Sequence, residues 1–194
     1  MLRRGIDTLR ITLRAMGLAS VPIVESWHLN ERHFGALQGL KRLEAFWRFG
    51  PRRVWACQHR YAVAPPSLAP SDPRHPSRDT RYAELDANEI PAAESLRDTV
   101  ERIRPFWVTS LVPELRKGHS VLVVAHKNSL RALVRLLDAV SDEDVPRLAI
   151  RTGRPLFFAL DRGLSVVERR YLDDPAMRSR LGPAAVRPAP LRDA

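Results

Sequence analysis

The stretch Val121-Leu122-Val123-Val124-Ala125-His126-Lys127-Asn128-Ser129-Leu130-Arg131 decides the fold class of this chain. Its first five residues are continuously apolar and largely β-branched, which is typical of a parallel strand covered on both faces. A helix is predicted directly afterwards, over Leu130–Leu137. His126 is therefore predicted to stand where a buried strand meets a helix, and ligands of open α/β sheets bind at that edge.

Outward from this stretch, helical and strand patterns alternate, and their order predicts an α/β fold. Pro105 and Pro113 fall within the longest helical pattern, so we expect a kink or two segments there. The predicted helices are Ile6–Met16, Leu40–Phe49, Ser95–Leu115 and one opening at Ser141–Asp144; the other predicted strands are Val21–Val24, Leu156–Leu160 and Ser165–Tyr171. Pro65–Arg81 reads as a proline-rich loop. We expect one domain over residues 1–174 and an Arg/Pro/Ala-rich tail over 175–194.

Composition limits the location and the partners of the chain. It has 194 residues with a net charge of +10, nearly all of the basic charge being arginine. No run approaches the ~18 apolar residues that span a bilayer, and the single cysteine, Cys57, excludes an internal disulfide. We therefore expect a cytoplasmic protein with no membrane partner. Arginine favours an anionic ligand. The arginines are scattered and form no nucleic-acid motif, so nucleic-acid binding is only a minor hypothesis.

Four segments, in order, resemble one known family. They are Trp27–Gly39 (WHLNERHFGALQG), Glu94–Thr99 (ESLRDT) followed by Pro105–Trp107, Val123–Arg131 (VVAHKNSLR) and Thr152–Pro155 (TGRP). Together they resemble the 2,3-bisphosphoglycerate-dependent phosphoglycerate mutases of the histidine phosphatase superfamily, over residues 2 to about 172. The resemblance implies a three-layer α/β fold with a mostly parallel sheet.

The resemblance also implies an activity and its chemistry. The family interconverts 2- and 3-phosphoglycerate in glycolysis and gluconeogenesis, through a phosphohistidine primed by the cofactor 2,3-bisphosphoglycerate and without a metal. The implied partner is a phosphoglycerate-type small molecule. The family commonly forms dimers or tetramers, so a homodimer is allowed.

The resemblance assigns roles to individual residues. Glu31 matches the proton donor to the leaving hydroxyl, a role that needs a carboxyl group protonated part of the time. His126 matches the histidine that clamps the transferring phosphoryl group, and Asn128 would orient the same phosphate. Arg4 aligns with an arginine that contacts phosphate. Arg32 and Arg42 align with positions that bind the glycerate carboxylate or phosphate.

The sequence departs from the family pattern at several places. No Arg-His-Gly occurs in it, although the family's nucleophilic histidine lies in that motif, on a strand beside the one matched by Val121–Ala125. We expect the lack of this strand to leave an exposed edge. Lys127 stands where the family has glycine, so it could bind phosphate or block the pocket. Gln58-His59 stands where the family has two arginines, which leaves His59 as a candidate phosphate contact. Phe34 replaces a tyrosine.

The sequence allows three hypotheses about function. The first is a mutase that is impaired in this chain, because a covalent intermediate needs a nucleophile. The second is a pseudoenzyme that binds a phosphorylated metabolite, and the third and least favoured is a nucleic-acid binder. The absent motif has two explanations. A start codon lying further upstream would restore it, or the gene has decayed, which Lys127 and Gln58-His59 favour.

Overall fold

Helices dominate the part of the chain that the computed structural model describes, which is residues 2–18 and 20–173. The helices are α1 (Arg3–Ala15), α2 (Arg42–Phe49), α3 (Pro51–His59), α4 (Leu96–Phe106), α5 (Val112–Arg116) and α6 (Lys127–Asp138). Two strands follow them, β1 (Leu156–Leu160) and β2 (Val166–Tyr171). The predicted helices over Ile6–Met16, Leu40–Phe49 and Leu130–Leu137 are thereby confirmed within a few residues.

The chain divides into two compact units, Met1–Ile150 and Arg151–Ala194. The first unit holds all six helices named above. The second holds β1 and β2, which pair antiparallel with an irregularity between Ala159 and Leu160. The two predicted strands of this hairpin are confirmed. The predicted tail over residues 175–194 lies outside the described residues, as does the predicted domain boundary.

The core of the first unit forms where α4 packs against α6. Val100, Ile103 and Phe106 of α4 bury their side chains against Ala132 and Leu133 of α6. On α4 these residues recur every three positions, and on α6 Leu136 follows Leu133 by about one turn, so each helix presents an apolar stripe to the other. The packing of α4 against α6 fixes the direction in which the first residues of α6, next to His126, point.

The helical pattern over Ser95–Leu115 is divided, as its prolines predict. A capping box begins α4, since Ser95 and Asp98 bond reciprocally to each other's backbone N–H. One turn of π-helix over Trp107–Leu111 then separates α4 from α5. Pro105 has no N–H to donate to the preceding turn, and local re-spacing of the backbone bonds is a common response to that loss.

Helix α3 was not predicted from the sequence. Gly50-Pro51 ends α2, since Gly50 has a φ of 78°. Pro51 then occupies the first turn of α3, where its fixed φ suits a helix and its missing N–H costs nothing. The same dipeptide therefore ends one helix and begins the next.

Two predicted strands do not form among the described residues. Val121–Ala125 and Val21–Val24 have no strand assignment, and their backbone makes no hydrogen bond with any described residue. Leu122 leaves 48% of its surface in water. A β-branched apolar run favours extended backbone, but a strand exists only where another strand pairs with it. The sheet that is described is antiparallel, so the predicted mostly parallel sheet is not found there.

The helix predicted to open at Ser141 is also absent. The hydroxyl of Ser141 donates to Asp144 Oδ2, and the carbonyl of Ser141 accepts from the N–H groups of Asp144 and Val145. One helical turn therefore forms. Pro146 follows with no N–H to continue it, and the chain proceeds as a 3₁₀ turn over Val145–Arg147.

Candidate phosphate-binding site

The loop that carries Glu31 is held by a buried ion pair. Arg102 of α4 and Glu94, just before that helix, expose only 6% and 4% of their side chains, and their Nε and Oε1 atoms lie 2.6 Å apart. Arg102 also donates to the carbonyl oxygens of Trp27, His28 and Asn30. Glu94 accepts from the N–H of His33 through its other oxygen. One charge pair thus fixes the loop on both sides of Glu31.

Buried neutral hydrogen bonds complete this attachment. The Asn30 amide donates to the hydroxyl of Tyr82 at 2.9 Å, and the Ser129 hydroxyl donates to the Asn30 carbonyl at 2.5 Å. Ser129 belongs to α6, which begins next to His126. The loop and α6 are therefore joined directly, and Glu31 and His126 are brought to the same place.

Arg32 is part of the same buried structure. Its Nε donates to the carbonyl of Glu94 and its Nη2 to the carbonyl of Cys57, and its guanidinium lies 5.2 Å from the centre of the Phe34 ring. Burial lowers the pKa of Arg32, although Cys57 and Glu94 counteract this effect. The structure gives Arg32 a supporting role that the sequence did not predict. Its role in binding a carboxylate or phosphate stays a prediction.

His126 is partly buried immediately before the first residue of α6. Its ring makes no hydrogen bond with the described residues. Gly5 of α1 lies beside the ring, since a Cβ at that position would be 3.9 Å from the His126 Cε1, an ordinary van der Waals distance. Burial lowers the pKa of His126, which outweighs the opposing effect of Glu31, and Arg4 lowers it further. The ring is thus a polar group beside a cation, with ring nitrogens unpaired in that part of the chain.

Glu31 lies near enough to this histidine to oppose the lowering of its pKa, and polar contacts with other residues hold its carboxylate. Its Oε1 accepts from its neighbour Arg32 N at 2.9 Å and from Asn128 Nδ2 at 3.2 Å. The Asn128 carbonyl oxygen in turn accepts from Arg131 Nη1 at 3.3 Å, and Arg131 Nε donates to the carbonyl of Leu148. Arg131 was not predicted as a site residue. Its position in the same motif, one helical turn after Asn128, was the available signal.

The structure brings four of the predicted residues together and leaves three others exposed. Arg4, Glu31, His126 and Asn128 converge. Arg42 is exposed at the start of α2 with its guanidinium over the Phe46 ring, and the His59 ring stacks on Trp55 at the end of α3. Lys127 is exposed at the first position of α6, where helical backbone suits lysine as well as glycine. Their phosphate-binding roles stay predictions.

A cavity of about 560 Å³ opens beside Glu31. Arg32, His33 and Phe34 form one wall, and the proline-rich loop forms the other with three arginines. Two of these, Arg74 and Arg81, are held by Asp72 and Asp79. Arg78 is exposed, and no ion pair joins it to a described residue. Sequence reasoning missed these cations because loop residues give no periodic signal.

The side chains of residues 2–18 and 20–173 that could ligate a metal do not cluster. No group of three or more His, Cys, Asp or Glu side chains lies close enough there to hold an ion. A search of the same residues for a helix of sufficient length and hydrophobicity to cross a membrane finds none.

Comparison with known proteins bears on this arrangement. The model of the histidine phosphatase superfamily (branch 1) matches residues 69–170. Among solved structures, the fold is similar to a mycobacterial glucosyl-3-phosphoglycerate phosphatase, with a TM-score of 0.57 and 21% sequence identity. The similarity covers 88% of this chain and 72% of the phosphatase. At this identity the likeness concerns the fold.

Proposed function

This chain belongs to the histidine phosphatase superfamily (branch 1), and we propose that it binds a phosphorylated three-carbon acid of the phosphoglycerate type without transferring its phosphoryl group. The observation that carries the proposal is the convergence of Arg4, His126 and Glu31. Arg4 is near enough to His126 to lower its pKa, and a guanidinium and an imidazole in one place suit a phosphate, which accepts charge-assisted hydrogen bonds from both. The ring nitrogens of His126, which make no hydrogen bond with a described residue, are free to donate to a phosphate oxygen.

Binding without transfer follows from the chemistry of the superfamily. Transfer through a covalent intermediate requires a nucleophile held in line with the phosphorus atom. His126 resembles the clamping histidine, and these 194 residues contain no Arg-His-Gly to supply the other one. The site thus retains groups that recognise phosphate and stabilise its charge.

Catalysis is the second candidate, favoured by the position of Glu31. Its carboxylate is held by Asn128 within the polar chain beside His126, where an acid could protonate a leaving oxygen. If a longer form of the protein supplies a nucleophilic histidine, either of two activities would follow. Transfer to a second hydroxyl gives a mutase, with 2,3-bisphosphoglycerate as the priming cofactor. Transfer to water gives a phosphatase, like the structural neighbour.

Titration calorimetry on the full chain tests the proposal. The probes are 3-phosphoglycerate, 2,3-bisphosphoglycerate and inorganic phosphate, with glycerate as the unphosphorylated control. We expect binding of the phosphorylated probes and not of glycerate. His126→Asn should weaken that binding by at least about tenfold, because a charge-assisted hydrogen bond contributes about 1.5–3 kcal/mol. His119→Asn is the matched control, since His119 is exposed and pairs with Glu114.

The same samples decide between the readings. Incubation with 2,3-bisphosphoglycerate followed by intact-mass measurement should show no phosphorylated protein, and 2-phosphoglycerate and free phosphate should not accumulate. Turnover that His126→Asn abolishes would overturn the non-catalytic proposal in favour of the enzyme. Equal affinity for phosphorylated and unphosphorylated probes would contradict both the non-catalytic binding hypothesis and the enzyme hypothesis. Salt-sensitive DNA binding that 2,3-bisphosphoglycerate does not displace would favour the nucleic-acid hypothesis.

A further inference from the structure

Helix α2 presents two large apolar side chains to water. Trp47 is 92% exposed and Leu43 is 81% exposed, the two highest values among the large hydrophobic residues that the structure describes. They are four positions apart in the helix, so their side chains lie about 40° apart on the helix surface, one turn above the other. Ala45, the buried residue of α2, points in the opposite direction. Leu43 and Trp47 together are called the α2 apolar face.

The exposure of Leu43 and Trp47 contributes nothing to the stability of the fold. A helix that packs by one stripe normally carries polar residues on the opposite side, and here that side carries a leucine and a tryptophan. Single exposed apolar residues are ordinary, whereas a large aromatic and a leucine adjacent on one face suggest contact with something outside the chain. The other exposed tryptophan in this region, Trp55, is covered on one side by its stack with the His59 ring.

Cations flank the α2 apolar face on both sides in the sequence. Exposed basic residues precede and follow it, and one carboxylate, Glu44, lies among them. That carboxylate is already paired with Arg48, at 3.0 Å. The exposed cations are Lys41, Arg42, Arg48, Arg52 and Arg53.

We propose that the α2 apolar face docks on an anionic lipid surface. Apolar and aromatic residues of a helix enter the boundary between headgroups and acyl chains, and tryptophan favours that interface. Anionic headgroups attract the lysines and arginines beside them, and each such residue strengthens the binding to the membrane. Such a surface contact needs no membrane-spanning helix. It departs from the expectation, drawn from the composition, that the protein has no membrane partner.

Charge decides against two other occupants. A second copy docking through the same face would bring five cations of each chain together with one paired carboxylate each, which is repulsive. A nucleic acid would satisfy the cations and could stack on Trp47, but it offers nothing to Leu43, whose exposed surface is aliphatic. An anionic lipid surface suits both the charge and the leucine.

Vesicle co-sedimentation of the full chain tests the proposal. The vesicles contain either phosphatidylcholine alone or phosphatidylcholine mixed with phosphatidylglycerol. We expect binding to the mixed vesicles, weakening with salt, and little to phosphatidylcholine alone. The double variant L43S/W47S should lower the partition coefficient by at least about tenfold, because two apolar side chains no longer leave water. Ile11→Ser is the matched control, since Ile11 is a lone exposed apolar residue on the equally basic α1.

A second pair of variants isolates the charge. R52Q/R53Q should weaken binding by about tenfold or more, whereas R10Q/R14Q, with the same charge change on α1, should weaken it less. Trp47→Phe should abolish most of the blue shift in tryptophan emission on vesicle addition. Unchanged binding by L43S/W47S, or no binding to either vesicle, would overturn the proposal. The proposal would also be overturned if the chain dimerised and L43S/W47S abolished the dimer. The same holds if the chain bound oligonucleotides instead of vesicles and L43S/W47S abolished that binding. None of these variants alters Arg4, Glu31 or His126.

Discussion

The two segments that lead to the site residues differ in how they are held. The clamped loop, residues 27–34, carries Glu31 and is attached through Arg102 and Glu94 by a buried ion pair and several hydrogen bonds. The apolar segment, residues 120–125, leads to His126 and makes no backbone hydrogen bond with any described residue. It is more hydrophobic than the clamped loop, yet Val121 and Leu122 are exposed.

The difference shows that hydrophobicity alone does not order a segment. The clamped loop has irregular backbone, and its buried polar groups specify one arrangement because each would be costly to leave unpaired. The apolar segment has high strand propensity, but its N–H and C=O groups need a neighbouring strand. We therefore infer that Glu31 is positioned by its own loop, and His126 chiefly by α6, which follows it.

Breaking the buried ion pair should have the largest effect on the clamped loop. Arg102→Met leaves Glu94 charged, buried and without its partner, and should lower the free energy of unfolding by about 3–5 kcal/mol. Arg104→Met, two residues on, removes the exposed partner of Glu101 and should change it by no more than about 0.5 kcal/mol. Urea denaturation followed by circular dichroism measures both. Equal losses would show that the pair does not hold the loop.

Removing one hydroxyl from the same network should have a moderate effect. Tyr82→Phe removes the hydroxyl that accepts from the buried Asn30 amide and should cost about 1–2 kcal/mol. Tyr61→Phe is the control, because the Tyr61 hydroxyl forms no hydrogen bond with the residues that the structure describes. The same denaturation experiment applies. A larger loss for Tyr61→Phe would contradict the assignment of this network.

Acidification should destabilise the chain gradually, through histidines of both segments. Burial lowers the pKa of His28 and His33 in the clamped loop and of His126 after the apolar segment. The unfolded chain, with histidine pKa values near about 6.5, then binds protons before the folded chain does. Stability is fully present above that pH and is lost as pH falls toward the folded values.

Melting temperatures between pH 8 and pH 5 measure this loss, and His33→Asn and His126→Asn divide it between the two segments. Each variant should flatten the pH dependence. Greater stability at pH 5 than at pH 7 would reverse the predicted sign.

Truncating the apolar segment should have the smallest effect. Leu122→Ala removes a side chain already half in water, and should lower the free energy of unfolding by no more than about 0.5 kcal/mol. Leu133→Ala removes a buried leucine of α6 and should cost about 2–5 kcal/mol. A comparable cost for Leu122→Ala would mean that the apolar segment is packed in solution, for example against a strand from another chain.

The proline-rich loop shows what local sequence patterns predict and what they do not. Its prolines correctly excluded long helices and strands, and only 3₁₀ turns form there. Nothing local indicated that Arg74, Arg78 and Arg81 would line a cavity beside Glu31. These arginines lie 43 to 50 positions after Glu31 in the chain, and a contact at that separation depends on how the intervening elements pack.

The sequence by itself determined the elements whose hydrogen bonds are local. Helices α1, α2, α4 and α6 and the β1–β2 hairpin follow from periodicity, caps and prolines, because each bond joins near neighbours in the chain. Only the tertiary structure decided that Arg102 would pair with Glu94 and that Arg32 would be buried. It also decided that Val121–Ala125 would lack a strand partner. Strand pairing and buried charge pairs depend on residues far apart in the chain, and no local pattern specifies them.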